Sequence, residues 1–163
     1  MSLKGYYKKD VITVTAEQLI PEAAAIMRDY NVGGVVVTRE QAGKKIPIGL
    51  LTDRDITINC VANNPELLKT MKVEEAMTHD PICAKESWGV YELVQTMRQE
   101  GVARMPIVSD DGILLGIVTA KNIFALLNDE FSELVEIGDK RKTASHPPRG
   151  PLAAKVPPER TIQ

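Results

Sequence analysis

Gly49-Leu50-Leu51-Thr52-Asp53-Arg54-Asp55-Ile56 recurs as Gly116-Ile117-Val118-Thr119-Ala120-Lys121-Asn122-Ile123. Each copy reads as glycine, two apolar residues, threonine, two variable residues, a carboxylate or amide, then isoleucine. The apolar run suits a buried strand, and Thr-x-x-Asp or Thr-x-x-Asn suits a helix start. Such a junction gathers a hydroxyl, a side-chain oxygen and unpaired backbone N–H groups, a setting for a phosphate or a sugar diol. A capping box would use the same atoms: the threonine accepts from a first-turn N–H and the third residue reaches back.

The duplication extends outward from this stretch. Ile12 matches Ile82, Glu22 matches Glu92, Met27 matches Met97 and Val32 matches Val102, all 70 residues apart, whereas Gly49 and Gly116 are 67 apart. The missing residues fall between Arg39 and Pro47, read as a loop in the first copy, and the tight turn Ser109-Asp110-Asp111-Gly112 in the second. A constant offset over most of two copies marks an internal repeat.

Each copy reads as βαββα. In the first, Val11–Val14 is a strand and Leu19–Asn31 a helix with Pro21 in its first turn, where a missing N–H costs nothing. Gly33-Gly34 breaks that helix, Val35–Val37 and Ile48–Thr52 are strands, and Asp53–Ala62 is a second helix. In the second, the strands are Ile82–Ala84, Met105–Val108 and Leu114–Thr119, with helices Val90–Glu100 and Ala120–Leu127. The expected organisation is a first repeat over 1–64, a bridge over 65–80, a second repeat over 81–132 and a basic, Pro-rich tail over 133–163. Asp139-Lys140-Arg141-Lys142 and the prolines beyond argue against regular structure in that tail. One such repeat cannot bury both faces of its sheet, so the fold class is α/β, with two repeats packed around a pseudo-twofold axis and sharing a core.

Composition narrows the functional classes. The 163 residues carry a net charge of −2, which offers no global attraction to nucleic acid or anionic membrane. Asp139–Gln163 holds six Lys/Arg against two Asp/Glu, a net +4 that leaves −6 on the rest. No apolar run approaches the roughly 20 residues of a membrane span, and no signal-peptide core follows Met1. A cytoplasmic setting follows, with Cys60 and Cys83 reduced. Met1-Ser2-Leu3 reads as a cloning remnant. Cys60, Cys83, His79 and His146 lack metal-ligand spacing, and no nucleophile–base pair, carboxylate pair or phosphate-loop lysine stands out, so no enzyme is expected.

The ordered, duplicated set resembles a tandem CBS-domain pair, or Bateman module. The resemblance spans roughly Tyr6 to Leu127 and rests on the two glycine-led motifs, on Val32-Gly33-Gly34-Val35-Val36-Val37 with Val102-Ala103-Arg104-Met105-Pro106-Ile107-Val108, and on Glu74-Glu75-Ala76-Met77-Thr78-His79-Asp80-Pro81. It implies a regulatory homodimer that binds an adenosyl ligand (AMP, ADP, ATP, an NAD-type molecule or S-adenosylmethionine) in clefts between its repeats and signals to a regulated protein. The motif threonine would meet phosphate and the carboxylate both ribose hydroxyls, much as a Rossmann acidic residue does. One cleft would then use Thr52 and Asp55, with adenine against Ile82 and Arg104-Met105-Pro106. The other would use Thr119 and Asn122, with Ile12 and Gly33-Gly34 opposite. Arg54 and Lys121 are possible phosphate contacts. Asn122 in place of Asp removes a charge-assisted bond and should weaken ribose binding at its cleft. Gly34 and Val36, standing opposite Arg104 and Pro106 in the alignment of the copies, should leave that cleft without a basic residue from this segment. The alternative is a ligand-free assembly module, with the two motifs serving as caps and the tail docking on a partner.

Overall fold

A computed structural model of the chain describes Leu3 and residues 7–143, with side chains of the last helix through Ile137. The Pro-rich segment expected to be extended lies outside the described residues. The chain divides into two units, Met1–Leu126 and Leu127–Gln163.

The first unit holds two sheets of matching design. Strands β1 (Thr13–Val14), β2 (Gly34–Gln41), β3 (Lys44–Thr52) and β4 (Thr78–His79) form one in that order; β5 (Ala84–Lys85), β6 (Arg104–Val108) and β7 (Leu114–Thr119) form the other. In each, the first pair is parallel and the second antiparallel. Alternation along β2 sends Val35 and Val37 into a core with Ile20, Ala23, Met27 and Leu51, while Val36 is fully buried on the other face. The second core repeats the pattern with Met105, Ile107, Leu93, Met97 and Val118, and Pro106 is the buried counterpart of Val36. β3 and β7 lie against one another, so each sheet has a helix-covered face and a face toward its twin.

Helices α1 (Ile20–Asp29) and α3 (Val90–Glu100) pack on those cores. Both end by the same device, and Gly33-Gly34 is not it. Asn31 (φ 51°) and Gly101 (φ 66°) take left-handed conformations, letting Val32 N–H reach Met27 O at 2.9 Å and Val102 N–H reach Met97 O at 3.0 Å. These are matched left-handed helix stops, filled by Asn in one copy and Gly in the other.

Three expected elements are corrected. The stretch read as a loop between Arg39 and Pro47 is mostly strand: β2 and β3 continue to a two-residue turn at Ala42-Gly43, both at positive φ, the geometry that matches strand twist. The helix expected over Asp53–Ala62 opens as one α-turn, α2 (Asp53–Asp55), and continues as a π-helix over Ile56–Ala62. There the Thr57 hydroxyl donates to Asp53 O at 2.9 Å, the carbonyl that the Thr57 N–H would take in α-register. The last helix, α4 (Ala120–Thr143), runs far beyond Leu127. It passes through the expected 132/133 boundary and includes Asp139-Lys140-Arg141-Lys142, so the tail reading fails for those residues.

The repeats also exchange their lead-in segments. Residues of the bridge pack on the first repeat: Val73 is fully buried in its core, Val73 N–H donates to Gln18 O at 2.8 Å, and Thr78 pairs with Leu50. The chain's start does the same for the second. Leu3 is fully buried there, its N–H donates to Trp88 O at 3.0 Å, and Lys8 bridges to Ile117. Each of these pairs is related by the repeat offsets. Leu3 is therefore a core residue, not a remnant.

Candidate functional site

Both glycine-led motifs fold as strand-to-helix junctions closed by a capping box. Asp55 Oδ2 accepts from Thr52 N at 2.9 Å and from Thr52 Oγ1 at 2.7 Å, and Thr52 Oγ1 accepts from Asp55 N at 3.1 Å. Asn122 Oδ1 accepts from Thr119 N at 3.2 Å and Thr119 Oγ1 at 2.7 Å, while Asn122 N donates to Thr119 Oγ1 at 3.2 Å. The cap is thus formed in both copies. It engages one carboxylate oxygen of Asp55, and the side chain stays half-exposed.

At the second junction the sheets open into a cleft of about 680 Å³, within the range of small-ligand sites. It brings together Thr119, Lys121 and Asn122 with Ile12, Gly33 and Gly34, the grouping implied for this cleft. Lys8, Lys9 and Asp10 also line it, as do Tyr30 and Asn31. Sequence reasoning missed these; the usable signal was the 70-residue offset, which makes Lys8 the twin of Thr78 on an exchanged strand.

Arg104 brings one correction. The Asn122 cleft, expected to have no basic residue from this segment because Gly34 and Val36 stand where the second copy has Arg104 and Pro106, is lined by Arg104 itself, whose Nη1 donates to Gly33 O at 2.6 Å. Gly34 makes this possible, because a Cβ there would collide with the guanidinium and lie 3.2 Å from Leu51 O. Gly34 and Arg104 are mates under the pseudo-twofold, and two bulky mates could not share that space.

The first junction differs in charge. Asp53 stands over Gly33, where a Cβ would come within 3.1 Å of its Oδ2, and Arg54 N donates to Asp53 Oδ1 at 2.8 Å. The Arg54 side chain is exposed. Ile82 is partly buried against the second core. Met105 lies inside that core and Pro106 is fully buried, so neither side chain forms a cleft wall. Burial pushes the Cys83 thiol up to about 11; burial first, then Asp55 and Glu75, also raises that of Cys60. Neither is a thiolate poised for chemistry near neutral pH. Among the described residues no three His, Cys, Asp or Glu side chains gather as metal ligands, and no helix is long and apolar enough to cross a membrane.

Comparison with known proteins agrees with this architecture. The CBS domain model matches residues 3–60 and 73–129; both segments begin at the exchanged lead-ins. An uncharacterized protein of Methanopyrus kandleri is 36% identical over 118 residues, covering 71% of this chain and 57% of its own length. Inosine-5'-monophosphate dehydrogenase of Methanocaldococcus jannaschii is 36% identical over 115 residues, 71% of this chain but 21% of the enzyme. The chain therefore spans little more than half of one relative and about a fifth of the other. A CBS domain-containing protein of Bacillus subtilis, YhcV, is 33% identical over 72% of this chain and 79% of its own. Among solved structures, the CBS domain pair of protein MJ0100 in complex with 5-methylthioadenosine and S-adenosyl-L-methionine superposes with a TM-score of 0.70 at 28% identity, covering 80% of this chain and 98% of that one. With two family matches laid over two symmetry-related halves, this chain belongs to the CBS domain family and carries the domains as a tandem pair.

Proposed function

We propose that this chain is a non-catalytic regulatory module that binds an adenosyl ligand between its repeats and passes metabolite level to a regulated protein. The observation that carries the reading is the 680 Å³ cleft at the Thr119–Asn122 junction. It combines an apolar wall at Ile12 with polar groups suited to ribose and phosphate. The neighbour with bound S-adenosyl-L-methionine and 5-methylthioadenosine supports the ligand class. Asp55 and Asn122 are the proposed ribose acceptors of the two clefts, with Thr52 and Thr119 toward phosphate and Arg54 and Lys121 as outer contacts. Signalling further requires that the ligand bind two states of the module unequally.

The test is thermal denaturation with AMP, ADP, ATP, NAD and S-adenosylmethionine, paired with isothermal titration. A binding ligand at about 100 times Kd should add roughly 2.7 kcal/mol, a rise in Tm on the order of 5–10 °C for a chain of this size. Asp55→Ala should cut affinity at its cleft about ten- to a hundred-fold, the worth of a hydrogen bond to a charged group. If that variant only loses the ~1 kcal/mol of a cap and keeps its affinity, Asp55 is not a ribose acceptor. A flat response to every ligand leaves the assembly reading, which the closed boxes at both junctions favour.

We also propose a homodimer. Ile58 and Val61 on the π-helix, Tyr91 and Val94 on α3 and Phe124 on α4 are large apolar side chains exposed in the first unit. Exposed apolar side chains on three helical segments supply surface that a second copy could cover. Light scattering at micromolar concentration should report twice the chain mass; a monomer would reject the proposal.

A further inference from the structure

Resting on that adenosyl-binding reading, we propose that the Asn122 cleft selects ligands carrying 5′-phosphates and discriminates against the sulfonium of S-adenosylmethionine. The two junctions have the same backbone and opposite charge. The first presents Asp53, Arg54 and Asp55, a net −1; the second has Ala120, Lys121 and Asn122 at the same places, a net +1. The second is lined by Lys8, Lys9, Lys121 and Arg104 with one carboxylate residue, Asp10, while Asp53 stands beside the wall at Gly33.

Arg104 is held rather than left to solvent. Its Nη1 is tied to Gly33 O, which uses one of five N–H donors and leaves a planar array at the cleft wall. A guanidinium fixed beforehand loses less freedom when an anion arrives. Asn122 contributes in a second way. It keeps an acceptor for a ribose hydroxyl but carries no charge to repel an adjacent phosphate. The substitution that weakens ribose recognition thereby favours the phosphates. A sulfonium ligand meets the reverse field, with a positive centre placed among four cations. The resulting preference sets this cleft apart from the S-adenosylmethionine-bound neighbour of the same fold.

The experiment is isothermal titration of the full chain with ADP, adenosine and S-adenosylmethionine, at low and at raised salt, on the unaltered protein and on Lys121→Glu and Arg104→Gln. Lys121 is exposed in the first turn of α4, so its variant tests charge without disturbing the core. ADP should bind at least about ten-fold tighter than S-adenosylmethionine, and raised salt should narrow the gap. Lys121→Glu should weaken ADP about ten-fold or more while adenosine, which shares base and sugar, is unaffected. Arg104→Gln should act in the same sense. With Asp55→Ala added to remove the other cleft's ribose acceptor, S-adenosylmethionine binding as tightly as ADP, or ADP affinity unmoved by Lys121→Glu, overturns the phosphate assignment and leaves the adenosyl reading standing. No heat with any of the three compounds overturns both.

Discussion

Leu3→Ala should cost about 2–5 kcal/mol of folding stability, the range for truncating a fully buried leucine in a packed core. This is a large loss for a position so near the start of the chain, where most substitutions are tolerated. Leu3 is 0% exposed and packs with Leu93, Met97, Met105 and Val118. Its backbone is anchored through Trp88 O, as its twin Val73 is through Gln18 O. Urea unfolding of the intact chain and the variant should show a lower midpoint with an unchanged slope. A change within about 0.5 kcal/mol, the scatter of surface substitutions, would mean that Leu3 does not complete the second core. The consequence reaches the cleft, since Lys8 and Lys9 arrive on the same exchanged segment. A chain with an undocked start would lose two of the four basic residues that line the cleft.

Gly116→Ala is the second substitution expected to do serious damage, about 1–3 kcal/mol and toward the upper end of what overpacking costs. A Cβ on Gly116 would collide with the ring of Tyr7 and come 2.7 Å from Lys8 O. Neither neighbour yields easily. Lys8 O is backbone, and it accepts from Ile117 N at 3.0 Å in the bridge between segment and sheet. Tyr7 is held by its hydroxyl, which donates to Glu86 Oε1 at 2.7 Å; burial and that carboxylate push its pKa up to about 12. Gly49→Ala offers the matched comparison. There the closest atom is the sulfur of Met77, with Thr78 O at 3.1 Å. A flexible thioether can swing aside, so Gly49→Ala should cost clearly less. Equal melting temperatures for the two variants would show that the Tyr7 contact is not the rigid one.

Much of this was written in the residues themselves. The βαββα order, the doubled strand-to-helix motif and both capping boxes follow from short-range chemistry: alternating apolar residues, a hydroxyl at the N-cap and a side-chain acceptor three positions on. The family resemblance followed from the same local features in the same order twice. The Asn122 cleft's pairing with Ile12, Gly33 and Gly34 came from the resemblance, because no local signal brings residues 88 to 110 positions apart into one wall.

The tertiary structure decided what depends on long-range partners. Leu3 looked like a remnant because its burial partners lie more than eighty residues away, and only the exchange of lead-in segments supplies them. The turn at Ala42-Gly43 looked like a loop because polar residues on an extended hairpin carry no apolar alternation. The run from Asp53 to Ala62 looked like a simple α-helix because its apolar spacing does not distinguish α from π register over so few turns. The reach of Arg104 to the Asn122 cleft was not legible because alignment of the repeats gives a residue's position in its strand, not the direction of a long side chain. That direction is set across the pseudo-twofold, where Gly34 leaves the space and Gly33 offers the carbonyl. A sequence specifies each mate separately; their packing against one another exists only once the two halves meet.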